Sequence, residues 1–173
     1  MANKSSLSFS NRLARAVWNA VYLLLIRFTP RPMHAWRAFV LRRCGAKLGA
    51  GCHVYAKARI WAPWNLECEQ DACIGDDAEI YNVAPIFLGQ GAIVSQGAYL
   101  CAASHDFRDK TFPLVTAPIR IERGAWVAAR AIVLMGVTVE AECVIGAGSV
   151  VTKSMPAGMV CAGNPCKVLG PRG

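Results

Sequence analysis

The stretch CAASHDF, residues 101–107, contains the side chain of this chain that is best suited to proton transfer. His105 lies between Ser104 and Asp106, and the chain has only three histidines. Imidazole gains and loses a proton near neutral pH, so a half-exposed, hydrogen-bonded histidine can serve as a general base. Such a base must come within about 3 Å of the hydroxyl group that it deprotonates. The elements that hold His105 therefore decide whether it can do this chemistry.

A six-residue repeat flanks His105 on both sides. Aliphatic residues recur every six positions, with two-residue shifts after Leu66 and Ile86, and a small residue often follows four positions later. The aliphatic series is Leu48, Val54, Ile60, Leu66, Ile74, Ile80, Ile86, Leu88, Val94, Leu100, Ile121, Val127, Val133, Val139, Ile145 and Val151. A period of six fits neither an amphipathic helix nor an alternating strand. It is typical of a parallel β-helix, so we expect an all-β solenoid of about five coils, each made of three hexads.

The repeat is interrupted directly after His105. The next aliphatic position would be residue 106, but the pattern returns at Ile121, so DFRDKTFPLVTAPIR is an insertion of 15 residues. Pro113 and Pro118 favour a projecting loop over residues 106–120 rather than a pair of strands. Insertions in stacked solenoids lie on one face, often the binding face. We therefore expect His105 at a corner of the solenoid, at the root of a loop that covers a substrate.

Four motifs after the insertion resemble the C-terminal signature of the hexapeptide-repeat O-acetyltransferases. They are Trp-Val-Ala from Trp126, Met-Gly-Val-Thr-Val from Met135, Ile-Gly-Ala-Gly-Ser-Val-Val-Thr-Lys from Ile145, and Gly-Asn-Pro from Gly163. The resemblance covers residues 48–168. The stretches WAPWNL, IYNV and VSQGAYLCAASHD are similar to the branch of that family that acts in colanic-acid-type exopolysaccharide synthesis.

This resemblance implies a left-handed parallel β-helix, a homotrimer, and acetyl-CoA bound between neighbouring subunits. His105 matches the family's catalytic histidine. It would take the proton from a sugar hydroxyl as that oxygen attacks the thioester, without an acyl-enzyme, while a backbone N–H holds the developing oxyanion. The implied acceptor is a sugar or a lipid-linked oligosaccharide in cell-surface polysaccharide synthesis.

The resemblance also implies residues that bind acetyl-CoA. Ala129 and Ala147 match small residues that line the pantetheine arm. Thr152, Lys153 and Lys167 match polar and basic positions near the nucleotide phosphates. A solvated surface charge is the alternative interpretation of each lysine.

Three further residues are candidates on the side of the reacting groups. Trp126 is expected beside the acetyl group, with a structural role as the alternative. Asn82, in the IYNV stretch, is a candidate contact to the acceptor. Asp106 is a candidate on the acceptor side that could orient the imidazole, and a more remote carbonyl or carboxylate could orient it instead.

The positive charge of the chain is confined to its first third. The net charge is +8, and residues 1–66 contain eleven Lys/Arg and no Asp or Glu. Residues 11–28 predict a helix, capped by Asn11, whose apolar part is too short to span a bilayer. The following stretch MHAWRAFVLRRCG again mixes aromatic, aliphatic and arginine residues. Residues 1–47 are therefore expected to lie on an anionic membrane surface, with a helical cap on the solenoid or a subunit contact as the alternatives.

The remaining sequence features restrict the class of function. The eight cysteines form no CxxC motif, so we expect reduced thiols in a cytoplasmic protein and no metal site. A carbonic-anhydrase-like zinc site would need three histidines in neighbouring coils. No recognition motif accompanies the basic segment, so no nucleic-acid partner is expected. Two other functions stay open, a soluble acetyltransferase for small sugars or xenobiotics and a non-catalytic repeat scaffold. The predicted organisation is a basic helical segment (1–47), a β-helix domain (48–168) and a tail (169–173).

Overall fold

The computed structural model describes residues 3–4 and 8–173, which form a parallel β-solenoid capped by two helices. Each coil of the solenoid contributes one short strand to each of three sheets, here called sheets I, II and III. Sheet I contains β2 (Lys47–Leu48), β5 (Leu66–Cys68), β8 (Ile86–Leu88), β13 (Ile119–Ile121) and β16 (Thr138–Val139). Sheet II contains β3 (His53–Val54), β6 (Cys73–Ile74), β9 (Ile93–Val94), β14 (Trp126–Val127), β17 (Val144–Ile145), β19 (Met159–Gly163) and β20 (Cys166–Pro171). Sheet III contains β4 (Arg59–Ile60), β7 (Glu79–Tyr81), β10 (Tyr99–Cys101), β15 (Ile132–Leu134) and β18 (Val150–Val151).

The chain visits the sheets in the order I, II, III and completes five coils. A sixth begins where Met155 bridges to Val139 and where β19 pairs with β17. The prediction of a parallel β-helix of about five coils is therefore confirmed, with a partial sixth coil at the C-terminal end. We call the edge between sheets II and III the II–III corner, and the edge between sheets III and I the III–I corner.

The aliphatic side chains of the repeat form the core. Leu100 lies between Ile80 and Val133 on the neighbouring coils, and all three are fully buried. Neighbouring parallel strands lie about 4.8 Å apart, so each aliphatic side chain stacks directly on its copy. The fully buried Cys143 occupies the small position, and its Sγ lies 3.8 Å from that of Cys161. Burial raises the pKa of Cys143 to about 12, and all eight cysteines are free thiols.

Helix α1 (Phe9–Leu25) covers the first coil. Its N-cap is Ser8, whose Oγ accepts a hydrogen bond from the Asn11 N–H, so the predicted cap at Asn11 and end at Phe28 are wrong by three residues each. The buried Trp18 donates from Nε1 to the Ile60 carbonyl at 2.7 Å. The Tyr22 hydroxyl donates to the Ala56 carbonyl at 3.3 Å. These contacts confirm the alternative in which the helices cap the solenoid.

Helix α2 (His34–Arg43) is attached by a buried arginine. Arg37 is fully buried and donates from Nε to the Val54 carbonyl at 2.6 Å. Its terminal nitrogens donate to the carbonyls of Pro30 and Arg31 and to the Thr29 hydroxyl. Because these acceptors belong to the connection between the helices and to β3, one side chain fixes α1, α2 and the first coil together.

The insertion after His105 is a β-hairpin and not the projecting loop that the prolines favoured. Strand β11 (Ala103–His105) pairs antiparallel with β12 (Leu114–Thr116), and β1 (Asn3–Lys4) pairs with the other side of β12. Pro113 and Pro118 flank β12, so neither removes an N–H from the paired ladder. The chain leaves the solenoid after Ala102, where the Ala117 N–H donates to the Ala102 carbonyl at 3.2 Å. His105 therefore lies within the hairpin, three residues beyond the corner where it was expected.

A short 3₁₀ turn, Pro63–Asn65, precedes β5.

The ends of the chain differ in part from the predicted organisation. Strand β20 continues to Pro171, so the predicted tail at 169–173 begins as a strand. Residues 1–2 and 5–7 of the predicted basic segment lie outside the described residues. Within the described part of the chain, neither helix has the length and apolarity needed to cross a membrane.

Candidate active site

His105 presents one ring nitrogen to a backbone carbonyl and the other outward. It ends β11 opposite Leu114, and its side chain is exposed. Its Nδ1 lies 2.7 Å from the Phe112 carbonyl oxygen. A carbonyl can only accept a hydrogen bond, so Nδ1 carries a proton, and in the neutral ring Nε2 then carries the lone pair. This tautomer is the one that a general base needs.

The carbonyl that orients His105 comes from a strained residue. Phe112 has a φ of +48°, in the left-handed region that non-glycine residues adopt at a cost of about 1–3 kcal/mol. Its own N–H donates to the Asp109 carbonyl at 2.9 Å, which holds this conformation in the hairpin turn. Of the two alternatives for orienting the imidazole, the structure therefore shows the remote carbonyl.

Asp106 shapes the turn and makes no hydrogen bond to the imidazole. Its Oδ1 accepts from the Arg108 N–H at 3.1 Å, and its N–H donates to the Pro113 carbonyl at 3.0 Å. The expectation that Asp106 orients His105 is wrong, because its carboxylate is turned back onto its own loop.

Asn82 is a core residue in this structure. It is fully buried, its Oδ1 accepts from the Ala62 N–H at 2.9 Å, and its Nδ2 donates to the Ala62 carbonyl at 2.6 Å. Both ends of the amide are thus committed to the neighbouring coil. This placement contradicts the expected contact to an acceptor, because the amide has no free group to offer one.

Ala129 and Ala147 lie one above the other at the II–III corner. The Gly148 N–H donates to the Ala129 carbonyl at 2.9 Å, which places the two corners in register. A Cβ added at Gly148, which has a φ of +68°, would meet nothing within 4 Å. This corner is therefore an open shelf of small residues, along which a thin extended group can lie. Lys167, on β20, pairs with Ala162 of β19, and Arg130 is exposed at the same corner. Cationic groups therefore border the shelf.

Thr152 and Lys153 lie at the opposite edge of sheet III. They follow β18 directly and are exposed at the III–I corner. The hairpin that carries His105 leaves the solenoid at the same corner, two coils below. The predicted site residues thus fall into two groups, one on each edge of sheet III. The edges are separated by about five residues of extended chain, roughly 15 Å.

Trp126 projects from the outer surface of sheet II. Its side chain is 42% exposed, and its Nε1 donates to the Ser95 Oγ at 2.8 Å. The hydrogen bond fixes the indole against the coil below and leaves one side of the ring open. Its position is compatible with both interpretations made from the sequence.

A groove of about 500 Å³ lies on sheet I beside the root of the hairpin. It combines aromatic and charged side chains, a mixture that suits a polar ring with an apolar face. Its lining includes Trp64, Asn65, Phe87, Pro118 and Arg120. Trp64 and Asn65 belong to the WAPWNL stretch, which carries the family resemblance but no predicted site residue. No group of three His, Cys, Asp or Glu side chains within residues 3–4 and 8–173 could hold a metal ion.

Comparisons with known proteins agree with the repeat and with the fold. Residues 118–153 match the family described as hexapeptide repeat of succinyl-transferase. The protein of Escherichia coli K12 that is named as colanic acid biosynthesis acetyltransferase WcaF is 37% identical over 162 residues, which cover 94% of this chain and 89% of that protein.

Two solved structures share the fold at low sequence identity. The hexapeptide-repeat acetyltransferase VCA0836 of Vibrio cholerae O1 biovar eltor, complexed with acetyl-CoA, superimposes with a TM-score of 0.88 at 21% identity, covering 98% of this chain and 92% of that chain. Galactoside acetyltransferase in complex with coenzyme A also gives a TM-score of 0.88, at 20% identity, covering 98% of this chain and 86% of that chain. The repeat of six, the left-handed parallel β-helix and the relative that matches almost from end to end agree: this chain belongs to the hexapeptide-repeat acetyltransferase family.

Proposed function

We propose that this protein is an acetyl-CoA-dependent O-acetyltransferase that acetylates a sugar hydroxyl, with His105 as the general base. The observation that carries this proposal is the hydrogen bond from His105 Nδ1 to the Phe112 carbonyl. In the neutral ring it selects the tautomer with a basic Nε2, on a side chain that is exposed.

The proposed reaction is a direct transfer. Nε2 of His105 takes the proton of the acceptor hydroxyl as its oxygen attacks the thioester carbonyl. The new C–O bond forms, the C–S bond breaks, and the leaving thiolate recovers the proton from the imidazolium. The Phe112 carbonyl keeps the imidazole ring oriented while the ring carries the positive charge.

The II–III corner supports the assignment of the donor site. Acetyl-CoA would lie with its pantetheine arm along Ala129 and Ala147, where the side chains are small enough for close approach. Lys167, with Thr152 and Lys153 of a neighbouring copy, would meet the nucleotide phosphates. Trp126 would lie near the acetyl end.

The separation of the two groups of residues supports a homotrimer. His105 cannot serve the II–III corner of its own chain across roughly 15 Å of sheet III. A neighbouring copy placed against sheet III would bring the His105 hairpin of one chain to the II–III corner of another. Above the Arg59–Glu79 ion pair, the outer face of that sheet is mainly apolar and half-buried, as expected for a surface that another subunit covers. Its side chains include Tyr81, Tyr99, Ile132, Leu134 and Val150.

The proposed acceptor is a sugar of a lipid-linked oligosaccharide at the cytoplasmic face of the membrane. The similarity to the protein named for colanic acid biosynthesis supports this acceptor class, and so does the basic N-terminal segment. The groove beside the hairpin would receive the sugar next to His105. A soluble galactoside is the second candidate, because galactoside O-acetyltransferase of Escherichia coli is 28% identical over 122 residues, covering 69% of this chain and 54% of that protein.

Thiol release from acetyl-CoA, measured with a panel of free sugars and lipid-linked oligosaccharides, tests the proposal. Acceptor-dependent release should occur, and His105→Ala should lower kcat by about 10²–10⁴-fold, the usual contribution of a general base. His53→Ala, a change at an exposed histidine on sheet II, is the matched control and should retain activity. Release by His105→Ala at the wild-type rate would contradict the assignment of the base.

A further inference from the structure

Helix α1 has an apolar face on the side away from the solenoid. The core side is occupied by Trp18 and Tyr22, as described above. The opposite side exposes a stripe spaced by four, four, seven and four residues, which continues just past the end of the helix and which we call the outer stripe. Its members are Phe9 (81% exposed), Leu13 (58%), Val17 (58%), Leu24 (82%) and Phe28 (83%). A helix that only caps a solenoid needs a single apolar face, so the outer stripe indicates a second binding surface.

Two exposed aromatic residues of α2 extend the outer stripe. Trp36 donates from Nε1 to the Leu25 carbonyl at 2.8 Å, which brings it against the end of α1. Its ring centroid lies 5.9 Å from that of Phe39, and both side chains are exposed. Tryptophan with an apolar body and a polar edge is the residue typical of the boundary between lipid and water.

Arginines border this apolar surface. Arg27 lies over the Phe28 ring at 5.7 Å, and Arg43 lies over the Phe39 ring at 5.3 Å. A groove of about 520 Å³ at the end of α1 is lined by Arg27, Arg31 and Lys57, together with the acidic Asp76. Residues 1–66 contain eleven basic residues and no acidic one, and two of them, Arg31 and Arg43, are exposed near Phe28 and Phe39, so this surface carries net positive charge. An anionic phosphate layer is the complementary partner.

The attachment of α1 restricts how it can meet a bilayer. Its 17 residues span about 26 Å, and its core side is bound to the first coil by Trp18 and Tyr22. The helix therefore lies flat, with the outer stripe inserted among the headgroups and the arginines near the phosphates.

We infer that α1 and the start of α2 form a docking surface for an anionic lipid bilayer. This inference deepens the proposed function and rests on it, because a docked enzyme would present His105 to a lipid-linked acceptor. The hairpin leaves the third coil, two coils above the coil that α1 covers, so its root lies about 10 Å above that coil, and α1, about 10 Å thick, lies between that coil and the bilayer. An acceptor anchored in the same bilayer could reach His105 from that side.

Flotation of the full-length protein on vesicles tests the inference directly. Vesicles of equal parts phosphatidylglycerol and phosphatidylcholine should carry the protein upward, whereas vesicles of phosphatidylcholine alone should carry much less. The double variant Leu24→Glu/Phe28→Glu should lower the partition coefficient by about tenfold or more. Leu169→Glu, a change at an apolar residue of similar exposure on β20, should float like the wild type.

Two further measurements separate lipid binding from self-association and from the reaction itself. If the outer stripe instead contacts a second copy, light scattering without vesicles will show a smaller assembly for the double variant, and the inference is overturned. Equal flotation of wild type and double variant also overturns it. Flotation requires neither donor nor acceptor, so its result is independent of the proposed reaction. The double variant should acetylate a soluble acceptor at the wild-type rate while losing activity on a vesicle-bound one.

Discussion

At the scale of the residue, the chemistry of the candidate base depends on a backbone atom. The sequence offered two kinds of partner for His105, the adjacent Asp106 and a more remote carbonyl or carboxylate. The structure supplies the carbonyl of Phe112, seven positions away, and uses Asp106 to close the turn. Phe112 positions His105 through its backbone. Its positive φ belongs to the turn conformation in which its carbonyl points at the imidazole.

Two substitutions at Phe112 separate its conformation from its side chain. Both Phe112→Asn and Phe112→Val remove the ring, but asparagine tolerates a φ of +48° and a β-branched residue does not. We expect kcat for Phe112→Val to fall about tenfold below that for Phe112→Asn, because the carbonyl moves and the imidazole loses its orientation.

A split between kinetic constants identifies the origin of that effect. The KM for acetyl-CoA should be the same in both variants, since Phe112 acts on His105 through its carbonyl and the residues proposed to bind acetyl-CoA lie outside the hairpin. Equal kcat values for the two variants would show that the φ of Phe112 does not position His105.

At the scale of the element, the helical cap is held by cationic and aromatic groups at its junction with the first coil. His34 stacks on His53 with 4.6 Å between ring centroids, and its Nδ1 lies 3.0 Å from an Arg37 Nη2. The guanidinium can only donate, so that contact needs the lone pair of Nδ1, whereas the Val54 carbonyl, 3.1 Å from the same nitrogen, needs its proton. Burial lowers the pKa of His34, and the charges of Arg37 and His53 act in the same direction against the Val54 carbonyl, which favours the protonated ring.

This junction should make the fold sensitive to mild acid. A histidine whose pKa is lower in the folded state than its unfolded value of about 6.5 binds more protons when unfolded. Its contribution to the free energy of unfolding is complete above that pH and is lost as the pH falls through the lower folded value. The thermal midpoint should therefore decrease between pH 7.5 and pH 5.

The variant His34→Gln isolates this group from other titrations. An amide keeps an acceptor for Arg37 but does not titrate, so the decrease in midpoint should be smaller in the variant than in the wild type. Parallel pH profiles for the two proteins would assign the acid sensitivity to other groups.

At the scale of the whole molecule, the residues proposed for the site form two half-sites of one chain, on opposite edges of sheet III. The half-site with His105, Thr152 and Lys153 is at the III–I corner, and the half-site with Ala129 and Ala147 is at the II–III corner. A complete site then needs two chains, which is the physical reason to expect activity only in an assembly.

Mixing of inactive variants tests this arrangement. His105→Ala damages one half-site, and Ala147→Trp fills the open shelf of the other. Each variant alone should be inactive, but co-expression should restore activity at about a quarter of the interfaces if the chains mix at random.

A second pair of variants provides the control. His105→Ala and Thr152→Trp damage the same half-site, so every complete site in their mixture contains one of the lesions. This pair should not regain activity. Recovery in both mixtures, or in neither, would contradict sites formed between subunits.

The sequence alone determined the solenoid because its rule is local. Each hexad needs one aliphatic side chain for the stack and one small side chain at the corner, and both requirements recur over sixteen positions that can be counted along the chain. The position of His105 beside the interruption of the repeat is local in the same sense. The family resemblance added the candidate donor residues, since Ala147 stands within one of its motifs and Ala129 directly follows another.

The tertiary structure decided what depends on segments far apart in the chain. Asn82 is buried because it bonds to Ala62, twenty residues earlier on the neighbouring coil. The insertion forms a hairpin because β11 and β12 pair across the turn that contains Phe112. The two apolar faces of α1 could be told apart only once the solenoid covered one of them. Such contacts have no fixed spacing in sequence, so neither composition nor periodicity can predict them.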